Sequence, residues 1–111
     1  MNPKYERQLK KGVLEILVLH LLSEQDMYGY QLIMALDERS QGMFKLKEGT
    51  LYPILYRLED DGYIKSYWVQ LEDQRMKRKY YQITQAGRQG IQELEMLWQE
   101  FSQAVSVVLG G

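Results

Sequence analysis

The sequence predicts a mainly α fold with a small β-hairpin, and three observations carry that expectation. Apolar residues recur at helical spacing in three successive segments of the first half of the chain. After Gly62 comes a stretch rich in β-branched and aromatic residues, broken once by a polar run, as a hairpin is. From Ile91 onward, apolar side chains recur at intervals of 3, 4, 3, 4 and 3 residues, the a/d seam of a helix that packs along one stripe. With 111 residues, 45% of them apolar and 26% charged, the chain has the size of one compact domain that buries a core without a metal or a disulfide.

Residues 9–22 are apolar on nearly every side of a 3.6-residue helix, so the first helix is expected to be central and covered on more than one face. Asp26 is the expected N-cap of a second, shorter helix whose stripe is Leu32, Ile33 and Leu36, with Ser40 and Gly42 ending it. Leu51, Ile54, Leu55 and Leu58 mark a third helix, stopped by Gly62. Because proline is tolerated only in a first turn, Pro53 leaves two alternatives: this helix starts close to Thr50, or its first turn is irregular. Tyr52, Tyr56 and Arg57 fall off its apolar stripe and are expected to face outward. The hairpin strands run from Ile64 to Leu71 and from Lys79 to Ile83, joined by a polar turn at residues 72–74, and Thr84 opens the last helix. Three helices, a two-stranded wing and a terminal helix follow the winged helix-turn-helix order. The expected division is residues 1–84 as the DNA-binding domain and 85–109 as a C-terminal dimerisation helix. Leu97 and Ala104 widen the terminal seam, and a second copy of the chain is its expected cover.

Several function classes are excluded by composition. There is no cysteine, which removes thiol catalysis, disulfide scaffolds and zinc fingers, and makes a reducing cytosol the expected compartment. The longest apolar run, residues 16–22, is interrupted by His20 and too short to span a bilayer, and no signal-peptide apolar region is seen at the N-terminus. One histidine and no glycine-rich phosphate loop leave no catalytic, metal or cofactor site to nominate. His20, inside the most apolar helix, reads as a packed residue with one satisfied nitrogen. The neighbouring acids Asp37 with Glu38, and Asp60 with Asp61, read as solvated helix ends.

The net charge of -1 conceals an uneven distribution. Residues 1–11 carry Lys4, Arg7, Lys10 and Lys11 against Glu6, whereas residues 12–42 carry Arg39 against five acids. Arg75, Lys77, Arg78 and Lys79 crowd into five positions at the expected tip of the hairpin. On charge alone this cluster reads as a solvated turn.

Four strings add a more specific reading: GVLEILVLHLL in the first helix, YGYQL at the second, EGTLYPILYRLEDDGYI through the third, and KRKYYQITQAG from wing to last helix. In this order they resemble the PadR family of bacterial transcriptional regulators over about three quarters of the chain. The resemblance implies a homodimer, usually a repressor, that grips an inverted-repeat operator in double-stranded DNA and releases it when a small molecule binds. It places Thr50, Tyr52 and Tyr56 near base edges or phosphates, Lys45, Lys47 and Arg57 on the DNA backbone, and Arg75, Lys77, Arg78 and Lys79 along phosphates or a minor groove. The dimer seam is expected at Ile91, Leu94, Trp98, Phe101, Val105 and Val108. The chain is short for the family, which places it with a small branch in which some members sense drugs. There an aromatic residue in the dimer's central cavity stacks on flat aromatic ligands; Trp98 matches it, and reads equally as an interface tryptophan. Glu15 is a second candidate for that cavity, although an exposed ion pair is the favoured role for it. A winged-helix module that binds protein instead of DNA is the rival reading. The two separate by salt, because only DNA binding through phosphates weakens steeply as salt rises.

Overall fold

Among the described residues, 3–72 and 75–111 of a computed structural model, five helices and three strands follow one another. They are α1 (Pro3–Lys11), α2 (Leu14–Glu24), β1 (Met27–Tyr28), α3 (Gly29–Arg39), α4 (Glu48–Asp60), β2 (Ile64–Gln70), β3 (Lys77–Ile83) and α5 (Gln85–Val108). The expected fold class holds, with differences that have local causes. The single helix expected over residues 9–22 is two. Gly12 and Val13 break it, and Val13 N–H bonds back to the Lys10 carbonyl (3.0 Å) in a tight turn, as the low helix propensity of glycine favours.

Asp26 does not cap α3. Met27 and Tyr28 are extended and pair with Tyr81 and Tyr80 of β3, so the helix begins only at Gly29. Its first turn is closed by Gln31, whose Oε1 accepts from Tyr28 N–H (3.1 Å), one half of a capping box. Asp26 instead accepts a hydrogen bond from the Tyr67 hydroxyl, which holds that phenol above its ordinary pKa. β1 makes the wing a three-stranded antiparallel sheet in the order β1-β3-β2.

α4 starts at Glu48, ahead of the expected Thr50, so Pro53 lies inside the helix. Its first turn is tightened, with Thr50 and Leu51 N–H both pointing to the Lys47 carbonyl (3.0 Å each). The end is as expected. Gly62 takes a φ of +78°, and paired bonds run from Tyr63 N–H to Leu58 O (2.9 Å) and from Gly62 N–H to Glu59 O (3.0 Å). These form a Schellman stop that only a residue tolerant of positive φ closes without strain.

The core lies where α2 crosses α3 and α4, and the sheet and the start of α5 close it. Val18, Leu19, Leu32, Leu51, Leu55 and Leu58 are buried at its centre, with Ile64, Tyr81 and Ile83 on the sheet side. Tyr81, 1% exposed, is the largest of these side chains, and burial pushes its phenol up to about 12. An unfolded tyrosine ionises near pH 10. Between pH 10 and 12 the unfolded chain therefore loses a proton that the folded one keeps, and the native state loses stability with rising pH across that window only. The urea midpoint is expected to hold below pH 10 and then decline, with a shallower decline in Tyr81→Phe; an identical decline would refute the assignment.

α5 is anchored at its start. Thr84 Oγ1 accepts from Gly87 N–H (3.0 Å) and donates to the Gly62 carbonyl (2.7 Å), tying α5 to the end of α4. It then runs antiparallel to α2, with Arg88 donating to the Ser23 carbonyl and Glu95 meeting His20. His20 is thus not a packed core histidine. Its half-exposed ring bridges two carboxylates, Nδ1 to Glu95 (2.6 Å) and Nε2 to Glu24 (3.2 Å). Arg39 also binds Glu24 and, ahead of His20, holds that carboxyl below the usual range.

Candidate nucleic-acid interface

α4 is the element around which the expected DNA-binding residues collect. Its apolar stripe faces the core, which turns Gly49, Thr50, Pro53, Tyr56 and Arg57 outward. On one flank stands the wing. The strand register decides which wing cations reach that side: Trp68 lies opposite Lys79 and Gln70 opposite Lys77, on the same face as Ser66 and the buried Tyr81. Lys77, Arg78, Lys79, Tyr52 and Tyr56 line, with Trp68 and the acid Glu48, a groove of about 470 Å³ between wing and helix. Trp68 is 63% exposed beside the Lys79 ammonium (5.9 Å to the ring centroid), and it was not among the expected site residues. Period-two alternation along β2 from the buried Ile64 through Ser66 was the signal that would have found it.

Alternation also splits the basic cluster. Arg78 lies over the Tyr28 ring at 4.1 Å, and Tyr28, Tyr80 and Tyr67 continue as a ladder with centroid separations of 5.4 and 5.8 Å. Arg78 thus braces the wing against β1, at least as much as it projects a charge. Arg75 is exposed at the far end of the hairpin, where turn residues 73 and 74 lie outside the described residues. Tyr52 is less outward than expected: it is half-buried, and its hydroxyl would stand 2.7 Å from a Cβ on Gly29. Tyr56 is the exposed member of the pair, with ring centroids 6.4 Å apart.

The other flank of α4 faces α1 and α2 across a cleft of about 530 Å³. Lys45 and Thr50 line it, as does Arg57, whose Nε donates to Glu15 Oε1 at 2.8 Å. Lys45 sits 3.5 Å from Asp37. Lys10 and Lys11 complete the rim; sequence reasoning counted their charge without assigning it a place. Lys47, the N-cap residue of α4, is exposed between the two flanks. The acids Asp60 and Asp61 are at the opposite, C-terminal end of the helix.

The residues expected at a dimer seam and ligand cavity divide between two environments. Ile91 is 6% exposed and belongs to the core of its own chain, and the half-buried Leu94 packs against that core. A helix seam is periodic whichever surface it meets. Farther along, α5 leaves the domain. Trp98 (44% exposed), Phe101 (60%), Val105 and Val108 are open to solvent, and Trp98 stacks on Phe101 at 6.4 Å. Glu15 does not join Trp98; its carboxylate is held on the α4 side of α2 by Arg57. No helix among the described residues is long and apolar enough to cross a membrane.

Residues 18–93 match the model of the transcriptional regulator PadR-like family. An uncharacterised protein of Lysinibacillus sphaericus is 35% identical over 101 residues, 91% of this chain and 92% of that one. The negative transcriptional regulator PadR of Bacillus subtilis is 26% identical over 81 residues, 73% of this chain and 44% of its own length. A PadR family transcriptional regulator from Eggerthella lenta has a similar structure, with a TM-score of 0.81 and 33% identity over 93% of this chain and 87% of that one.

Proposed function

Since the chain belongs to the PadR-like family of transcriptional regulators, we propose that it acts as a homodimeric repressor of an inverted-repeat operator, with α4 in the major groove and the wing on the flanking backbone. The observation that carries this reading is the way α5 ends. Its last turns stand clear of their own domain with Leu97, Trp98, Phe101 and Val108 exposed, an apolar strip that a second copy would bury through the same strip of its own. A twofold axis there sets two copies of α4 side by side on one face of a duplex, with half-sites roughly 34 Å apart. Repression is supported by the negative regulator of Bacillus subtilis to which the chain is similar. Family membership also speaks for regulation without enzymatic turnover.

Within this reading, Tyr56, Lys77, Lys79 and Lys47 are the groups free to meet DNA, whereas Tyr52 and Arg78 also brace the fold. A flat aromatic effector would stack on Trp98 between the two tails, while Glu15 serves as the ion-pair partner of Arg57. The test is to sequence the fragments of genomic DNA that the purified protein retains: an inverted repeat with half-sites one helical turn apart is expected, and an unrelated mixture of sequences would refute it. Tyr56→Ala and Lys77→Ala are expected to weaken binding to the recovered duplex tenfold or more with the sedimentation of the dimer unchanged. Operator affinity equal to wild type in both would reject this surface.

A further inference from the structure

The geometry points to a second phosphate-binding wall in the cleft between α1 and α4, with Lys11 as its principal cation, so that the protein holds both backbone strands flanking the major groove. This rests on the reading of α4 as the groove-entering helix. A helix with its side chains is about 10–12 Å across, and the major groove is about 12 Å wide. A helix seated there has one ridge of phosphates on each side. The wing meets one ridge. On the other side of α4 the structure presents Lys10, Lys11, Lys45, Thr50 and Arg57 around one opening.

These cations are not equivalent. Arg57 is held by Glu15 at 2.8 Å and Lys45 stands 3.5 Å from Asp37, so each already has an acidic neighbour. Lys11 has no carboxylate partner among the described residues and is exposed at the mouth of the cleft. A phosphate entering there pairs with Lys11 directly, and it competes with Glu15 for the Arg57 guanidinium, which offers two oxyanion-binding edges. Thr50, exposed on the same lining, supplies a hydroxyl donor. Glu15 is therefore a brake on this contact: it neutralises a cation that DNA would otherwise engage.

The test is the salt dependence of binding by the full-length dimer to a fluorescent 30-base-pair duplex selected by the wild-type protein from random sequence. Each phosphate contact contributes about 0.9 to the slope of log affinity against log salt. With one contact per protomer, Lys11→Gln is expected to flatten that slope by about 1.8, and Glu15→Gln, which frees Arg57, to steepen it and tighten binding. Lys65→Gln, exposed on β2 away from α4, serves as the control with no expected change. If Lys11→Gln and Glu15→Gln both keep the wild-type slope while Lys77→Gln flattens it, the cleft lies off the DNA and the second wall is overturned, with the wing reading intact. A wild-type protein that shows no salt dependence overturns both.

Discussion

Phe101→Asp is expected to sediment as a monomer at micromolar concentration and to lose at least a hundredfold in affinity for an inverted-repeat duplex. The aspartate falls in the middle of the exposed strip of α5, beside Trp98 and one turn before Val105. Burying a carboxylate without a partner costs several kcal/mol, more than a small apolar strip returns. The effect on DNA binding is indirect: each half-site keeps its own contacts, and what is lost is the linkage of the two binding events. Because Phe101 is 60% exposed within its own chain, the monomeric variant is expected to stay folded, with a Tm below that of the wild type only by what dimerisation contributes, a gap that narrows as the wild type is diluted. A dimer of Phe101→Asp at micromolar concentration would place the interface elsewhere.

Gly87→Ala is expected to be the most destabilising Gly→Ala substitution in this chain. The first turn of α5 packs against the residue after the α4 stop, and the Tyr63 carbonyl already accepts from Thr84 N–H at 2.9 Å. A Cβ on Gly87 would overlap that carbonyl oxygen and stand 2.7 Å from Ile83 Cγ1, one a backbone atom and the other a core side chain. Neither can move without lifting α5 from the Thr84 cap. Overpacking of this kind costs about 3 kcal/mol or more, which lowers Tm by roughly 10–20 °C in a domain of this size. Gly90→Ala, whose nearest neighbour would be the Tyr63 ring at 3.5 Å, is expected to be neutral or mildly stabilising through helix propensity. Equal melting temperatures for the two variants would contradict the close approach at Gly87.

Much of the fold was legible in the chain because local signals and packing agree there. The stripe of Leu51, Ile54, Leu55 and Leu58 and the stop at Gly62 specify α4 almost completely, and Thr84 caps α5 as a Ser or Thr before a helix should. What escaped depends on partners distant in sequence. β1 is two residues long, and only its pairing with Tyr80 and Tyr81 makes it a strand, which moves the start of α3 from Asp26 to Gly29. His20 sits in an apolar string, yet α5 approaches from the side on which a carboxylate, Glu95, awaits it.

The candidate interface was legible as a list of residue types more than as an arrangement. Of the four basic residues between positions 75 and 79, the three on β3 necessarily alternate, so Lys77 and Lys79 share a face with Trp68 while Arg78 lies over Tyr28. Likewise, an a/d repeat announces an apolar stripe without saying whose surface covers it. Ile91 and Leu94 meet their own core, whereas the next turns continue past it. The lysines of α1 were invisible as a site until the break at Gly12 swung that helix toward α4.

The absence of cysteine permits a direct test of the twofold arrangement. Asp61 is exposed at the C-terminal end of α4, away from the proposed DNA-facing end, so Asp61→Cys carries one nitroxide label per protomer clear of the duplex. Electron–electron dipolar spectroscopy on the labelled protein bound to an inverted-repeat duplex should give one distance distribution centred roughly one helical turn of DNA apart, near 34 Å with the breadth of the label linkers. Absence of dipolar coupling, or a distribution centred beyond 50 Å, would contradict a tail-paired dimer that sets two copies of α4 in successive major grooves.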